Sequence, residues 1–214
     1  MAIAPKLKEQ LMPVLGRALR NRRAGVRHSV RRAPELQAPA EISLVSPDFS
    51  HQGTIPAPHR AAPQGDNLSP ALAWHGVPEG TEQLLLIIED IDAPLKKPIV
   101  HALALLDPAL THLPQGALGA DSAQVRLLPG TLNRRGYQGP RPIPNHGVHR
   151  YGFHLYALDV VLPGTLNGLA EVLPRVAGHV LASGFLEGWA ESGPEERPQS
   201  RRRRGGIDPR DLRR

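Results

Sequence analysis

One stretch constrains this chain more than any other: Leu84-Leu-Leu-Ile-Ile-Glu-Asp-Ile-Asp-Ala-Pro94. Its continuous apolar run suits a strand buried on both faces. Side chains alternate across a strand, so Leu84, Leu86, Ile88, Asp90 and Asp92 share one face. Two carboxylates therefore extend a core-facing row. Either the row has reached solvent at the strand's end, or the pair forms the lip of a pocket. Pro94 then stops the strand, because it lacks the N–H that a ladder needs. A second apolar strand, Val100–Leu106, is expected to carry His101 on one face with Leu103 and Leu105.

Around these strands, 214 residues allow one domain with tails. The chain has no cysteine, which removes disulfides, thiol nucleophiles and cysteine metal sites and suits a reducing compartment such as the cytoplasm. No run of 18 apolar residues is present, so no membrane span is expected, and the basic N-terminus lacks the apolar segment of a secretory signal. Charge is uneven. Residues 1–34 hold nine Lys/Arg and one acid, a net of +8; residues 191–214 hold eight Arg and five acids, a net of +3. The middle, 35–190, is acidic at −5. That distribution argues against a nucleic-acid-binding core, and leaves the basic ends able to touch acidic surfaces weakly.

Residues 1–40 divide into a basic helix, expected over 5–24 with Pro13 kinking it and Gly25 stopping it, and a polar linker over 25–40. The helix either docks on its own domain or a second subunit, which is the favoured reading, or lies on an anionic membrane. From residue 41 strands are expected at Glu41–Ser46, near Ile55, at Ala71–Trp74, at Leu84–Asp92, at Val100–Leu106, at Val125–Leu128 and at His149–Asp159. Residues 129–148 form a long Gly- and Pro-rich loop of the kind that usually carries function. Two helices are expected near the end, one from Thr165 or Asn167 to Leu173 and one from Val176 to Trp189. Residues 191–214, with Arg201–Arg204, are of low complexity and expected to be disordered.

Candidate polar residues collect at strand ends: Asp90, Asp92, His101, His149 and Tyr151. For each histidine taken alone, a satisfied structural residue is the favoured reading. The chain has no Gly-x-Ser-x-Gly elbow, no P-loop, no Gly-x-Gly-x-x-Gly and no His-Glu-x-x-His. Nothing in the spacing supports Ser69 as a nucleophile. Two isolated histidines are weak evidence for a metal, so neither metal nor cofactor is expected.

Four motifs occur in one order: Ser69-Pro-Ala-Leu-Ala-Trp74 with Gly76 and Pro78; Asp90-Ile-Asp-Ala-Pro94 followed by Ile99-Val-His-Ala102; Gly139-Pro-Arg-Pro-Ile143 followed by His149-Arg-Tyr151; and Gly178-His-Val-Leu-Ala182. Together they resemble the phosphatidylethanolamine-binding protein family, especially its bacterial Raf-kinase-inhibitor-like branch, over residues 41–190. The resemblance implies a mostly β fold, a β-sandwich with accessory C-terminal helices, to which this chain adds an N-terminal helix. It also implies a non-enzymatic binding protein with a pocket for phosphate or another small anionic head group, as in phospholipid binding, and bacterial members that are often homodimers. Carried over by residue, the pocket is lined by Asp90, His101, Pro142, His149 and Tyr151, with Asp92, Pro94 and Arg150 in support. The chemistry is coherent: a neighbouring aspartate favours imidazolium, which with a tyrosine hydroxyl can hold an anion. Affinity should then weaken as pH rises.

The sequence departs from the family pattern at Ile91, Ile99, Ala102 and Ile143, where prolines and tryptophans are usual. The thinner wall leaves room for a wider pocket, or for closure by another element such as the N-terminal helix. Two rival readings are an enzyme, a hydrolase or cyclase using the same Asp/His/Tyr set for acid–base chemistry, and an interaction or membrane-surface module working through the basic ends.

Overall fold

The computed structural model describes residues 5–192. In chain order the elements are α1 (Pro5–Leu19), β1 (Ala40–Glu41), β2 (Ser43–Val45), β3 (Gly53–Thr54), β4 (Leu72–His75), β5 (Gln83–Asp90), β6 (Ile99–Leu106), β7 (His112–Leu113), β8 (Val125–Leu128), β9 (His149–Leu158), α2 (Leu169–Val176) and β10 (Val180–Ala190). The larger sheet runs β1-β10-β9-β5-β6-β8, with β3 also on β10; the smaller runs β2-β4-β7. The two sheets face each other as a sandwich, with Leu44, Leu72, Trp74 and Leu113 of the small sheet sharing one core with Leu84, Leu86, Ile88, Phe153 and Leu155 of the large one. This bears out the mostly β class.

β5 and β9 lie at the centre of the large sheet, and β5 leaves no polar face over its apolar run. Leu84 to Ile88 are all at most 1% exposed. Burying each such side chain is worth about 1.5–3 kcal/mol, so this pair anchors the sheet. Leu85, Ile87, Tyr156 and Leu158 supply the opposite face to a second core, closed by Val30, Leu36, Leu162, Leu166, Val172 and Val176. Two covering residues, Val30 and Leu36, come from the stretch expected to be a polar linker. It is instead a string of short 3-10 turns that packs on the sheet, because two apolar residues six apart are enough to pin it where the sheet offers an apolar face.

Three further expectations are corrected. The segment read as a helix over Val176–Trp189 is strand β10, paired along its length with β9. Its burial alternates strictly, but the inward positions Ala182, Gly184, Gly188 and Ala190 are too small to give an apolar signal. Gly188 has to be small: a Cβ there would lie 2.6 Å from Ile55 Cγ1. Among the described residues there is therefore one C-terminal helix, α2, which continues through Pro174 to Val176 and is preceded by Gly168 with no side-chain cap. The strand expected over Glu41–Ser46 splits into β1, in the large sheet, and β2, in the small one. β7 is not among the strands expected from the sequence. The Arg-rich tail lies, from residue 193, outside the described residues. No described helix is long and apolar enough to cross a membrane.

Candidate functional site

The central register builds the site. Asp90 stands directly opposite Tyr151 on β9, and His149, two residues earlier on the same face, is its diagonal neighbour. His149 Nδ1 lies 2.8 Å from Asp90 Oδ2, and both residues are buried. His101 reaches this face by an irregularity. Ile88 pairs with Ala102 and Glu89 with Val100, so His101 is an extra residue on β6. Such a bulge re-aims a side chain. Val100 then packs on the second core with Leu103 and Leu105, while the His101 ring meets Tyr151 edge-on at 5.3 Å between centroids. The expectation that His101 shares a face with Leu103 and Leu105 is thus corrected by one inserted residue.

The Gly- and Pro-rich loop secures this arrangement. Gln138 O accepts from His101 Nδ1, and Gln138 N–H donates back to His101 O at 2.8 Å. Burial holds His101 below the ordinary histidine range; Asp90 and the Gln138 carbonyl oppose that shift and His149 adds to it. The Tyr151 hydroxyl is buried and, among the described residues, donates to no acceptor. Burial, then the charge of Asp90, push its pKa far above the usual tyrosine value, although the Arg141 backbone N–H and the Arg60 charge pull the other way. It remains an O–H donor with nothing to donate to. Pro142 is buried, and its carbonyl accepts from Ser192 Oγ at 2.6 Å. The Ser69 Oγ accepts from Leu118 N–H.

Asp92 and Arg150 form the support. Arg150 grips Asp92 through Nε and Nη2 at 2.8 and 2.9 Å and through its backbone N–H at 3.0 Å. Arg23 stands 3.5 Å from the same carboxylate. Burial would raise the Asp92 pKa, but the Arg150 hydrogen bonds and charge, with Arg23, outweigh it and keep the pKa below the aspartate norm. Asp92 N–H also donates to Asp90 Oδ1 at 2.9 Å, so the two aspartates position each other. Pro94 is half-buried beyond the end of β5.

His146 was not singled out from the sequence, yet it completes the cluster. Its Nδ1 is 2.6 Å from His149 Nε2, and its Nε2 is 2.9 and 3.1 Å from the Leu19 and Arg22 carbonyls at the end of α1. The turn that returns His146 onto His149 uses Asn145 and Gly147 at positive φ; that Asn-x-Gly pattern is the signal the sequence offered. The series Asp90–His149–His146–carbonyl contains three links and so needs three hydrogens. An aspartate and two neutral imidazoles carry two. The fully bonded cluster therefore holds one extra proton. Burial first, then His149, hold His146 below the ordinary histidine range.

Residues 16–25 cover this cluster. Gly16 lies against the loop so closely that a Cβ would sit 1.9 Å from Pro144 O. Ala24 and Gly25 donate to the Ala93 and Ile91 carbonyls at 2.8 and 2.9 Å, and Arg23 Nη1 donates to Val148 O at 2.8 Å. The N-terminal helix thus docks on its own domain and closes the site. The two cavities that stand out, about 530 and 390 Å³, lie elsewhere, one beside Leu44, His51 and Phe185 and the other beside Gln83, Arg126 and Thr165. Among the described residues no group of three or more His, Cys, Asp or Glu side chains is placed to hold a metal.

The chain is thus a two-sheet sandwich with a His/Asp/Tyr cluster at the end of its central strands. The Phosphatidylethanolamine-binding protein family matches residues 45–190, and the chain belongs to that family. A UPF0098 protein of Methanothermobacter thermautotrophicus is 39% identical over 155 residues, covering 69% of this chain and 97% of that protein. One from Chlamydia muridarum is 34% identical, covering 70% and 99%. Among solved structures, a phosphatidylethanolamine-binding protein homolog of Chlamydia trachomatis superposes with a TM-score of 0.63 at 32% identity, covering 71% of this chain and 98% of that one. YbcL of E. coli superposes with a TM-score of 0.66 at 26% identity, covering 72% and 99%. The N-terminal segment that covers the site, residues 16–25, lies wholly before the family match.

Proposed function

We propose that this protein is a cytoplasmic binding protein that holds a small phosphate-like anion at Asp90, His101, His149 and Tyr151. The observation that carries the reading is the Tyr151 hydroxyl, a buried donor without an acceptor, beside a carboxylate-held histidine. A buried polar group left unpaired costs about 1–3 kcal/mol, which an arriving anion would recover. His149 Nε2 becomes a second donor when His146 swings away, and His101 a third when it is protonated. Asp90 is not turned on the anion as a bare carboxylate, because its two oxygens are already engaged by His149 Nδ1 at 2.8 Å and the Asp92 N–H at 2.9 Å. The cysteine-free sequence suits a reducing compartment.

The test is calorimetric titration of the full chain with inorganic phosphate at about pH 6 and about pH 8, repeated with Tyr151→Phe. Affinity should be higher at the lower pH, since histidine protonation adds donors. Tyr151→Phe should weaken binding roughly tenfold while leaving the fold at least as stable. Affinity that is flat with pH and indifferent to Tyr151→Phe would remove the anion from this site.

A further inference from the structure

Four apolar positions of α1 do not face the domain. Leu11, Val14 and Leu15 are 47, 61 and 43% exposed, and Ala18 is exposed with them. Spaced at i, i+3, i+4 and i+7, they form one stripe along the helix. What faces the domain is a different set: Gly16 is buried and Met12 and Leu19 are half-buried. The Gly16 contact with Pro144, and the Leu19 and Arg22 carbonyls bonded to His146, fix the helix in that orientation. An apolar stripe is therefore held outward by the contacts that close the site.

Its surroundings are cationic. Arg17, Arg20, Arg22 and Arg27 are exposed, and Glu9 is the single acid among residues 1–34, against nine Lys/Arg. The loop whose Ala93 carbonyl is bonded to Ala24 repeats the chemistry, with Leu95 53% exposed and Lys96 and Lys97 exposed beside it. A second copy of this chain would have to bring two such +8 segments together, and like charges oppose that. An anionic lipid surface meets both requirements, taking the apolar stripe at its acyl boundary and the arginines at its head groups.

We propose that the outward face of α1, with the Leu95–Lys97 loop, is a docking surface for an anionic bilayer. The test is co-sedimentation of the full chain with vesicles of phosphatidylcholine alone or with about one-third phosphatidylserine. Two variants accompany it: Leu11→Ser/Val14→Ser/Leu15→Ser, which preserves charge, and Arg201→Ser/Arg202→Ser/Arg203→Ser/Arg204→Ser, which removes the basic run of the tail. The wild type should bind the anionic vesicles, bind neutral ones weakly and release as salt rises. The stripe variant should lose roughly tenfold or more in vesicle affinity with an unchanged melting midpoint, because the replaced side chains are exposed. The tail variant should retain most of its binding. The proposal is overturned if the wild type ignores anionic vesicles, if the stripe variant binds like the wild type, or if light scattering shows a wild-type dimer that the stripe substitutions make monomeric.

Discussion

Glu89 and Asp90 are neighbours on β5, point to opposite faces of the sheet, and each pairs with a histidine of β9. Glu89 lies 3.0 Å from His154 Nε2, and Asp90 lies 2.8 Å from His149 Nδ1. All four residues are at most 4% exposed. Beyond that the pairs diverge. Glu89 also takes the Ser29 hydroxyl and the Val30 N–H at 3.2 Å, so its carboxylate is saturated with donors from the N-terminal segment. Asp90 sits beside a tyrosine hydroxyl that, among the described residues, donates to no acceptor, and a histidine re-aimed by a bulge. A saturated buried carboxylate fastens one part of the chain to another. An unsaturated cluster stores binding capacity, at a cost to stability that the rest of the core carries.

The sharpest way to break this comparison is Glu89→Ala. It leaves the Ser29 and Val30 donors and His154 unpaired in the second core, and should destabilise the fold by about 3–5 kcal/mol in chemical denaturation. Hydrogen exchange should rise at residues 26–36 in particular. A loss under about 1 kcal/mol would mean that the Glu89 cluster is no fastener.

Gly16→Val attacks the other side of the comparison. Its side chain would collide with Pro144 O, so α1 should lift from the loop at a cost of about 1–3 kcal/mol. His146 then loses the Leu19 and Arg22 carbonyls, and the proposed site opens. Phosphate affinity measured by calorimetry should rise as global stability falls. If both fall together, α1 is part of the binding surface and not its cover.

A smaller effect follows from pH. His101 and His146 are both held below the ordinary histidine range, chiefly by burial. Between their folded values and about pH 6.5 the unfolded chain binds more protons, so their contribution is full above about pH 6.5 and is lost as pH falls below it. Asp92, held low by Arg150, adds stability above about pH 4 that disappears only in stronger acid. Denaturation midpoints should therefore decline from about pH 7 to pH 5, and His101→Gln should flatten part of that slope. A midpoint that climbs on acidification would contradict the sign.

Much of this was legible in the sequence where a side chain's size or charge fixed its surroundings. The Leu84–Ile88 run suited a buried strand, and a strand over His149–Asp159 puts His149, Tyr151, Phe153 and Leu155 on one face. Asp90, His149 and Tyr151 meet because β5 and β9 are in register at that level. The rest was hidden for physical reasons. β10 conceals its alternation behind inward Gly and Ala. The turn of His101 depends on one residue of bulge, which no local pattern announces. The role of His146 depends on a loop turn together with two main-chain carbonyls more than 120 residues away in sequence. Backbone carbonyls have no sequence signature, so the cover over the site emerged only from the fold.

The most direct test of the account is the shift of the thermal midpoint with inorganic phosphate in three proteins: wild type, His149→Ala and His154→Ala. A ligand that binds the native state raises the midpoint in proportion to how far its concentration exceeds the dissociation constant. The account predicts a rise in the wild type, the same rise from a lower starting midpoint in His154→Ala, and none in His149→Ala. A rise that survives His149→Ala, or is lost in His154→Ala alone, would contradict the assignment of site to one face of the sheet and fastener to the other.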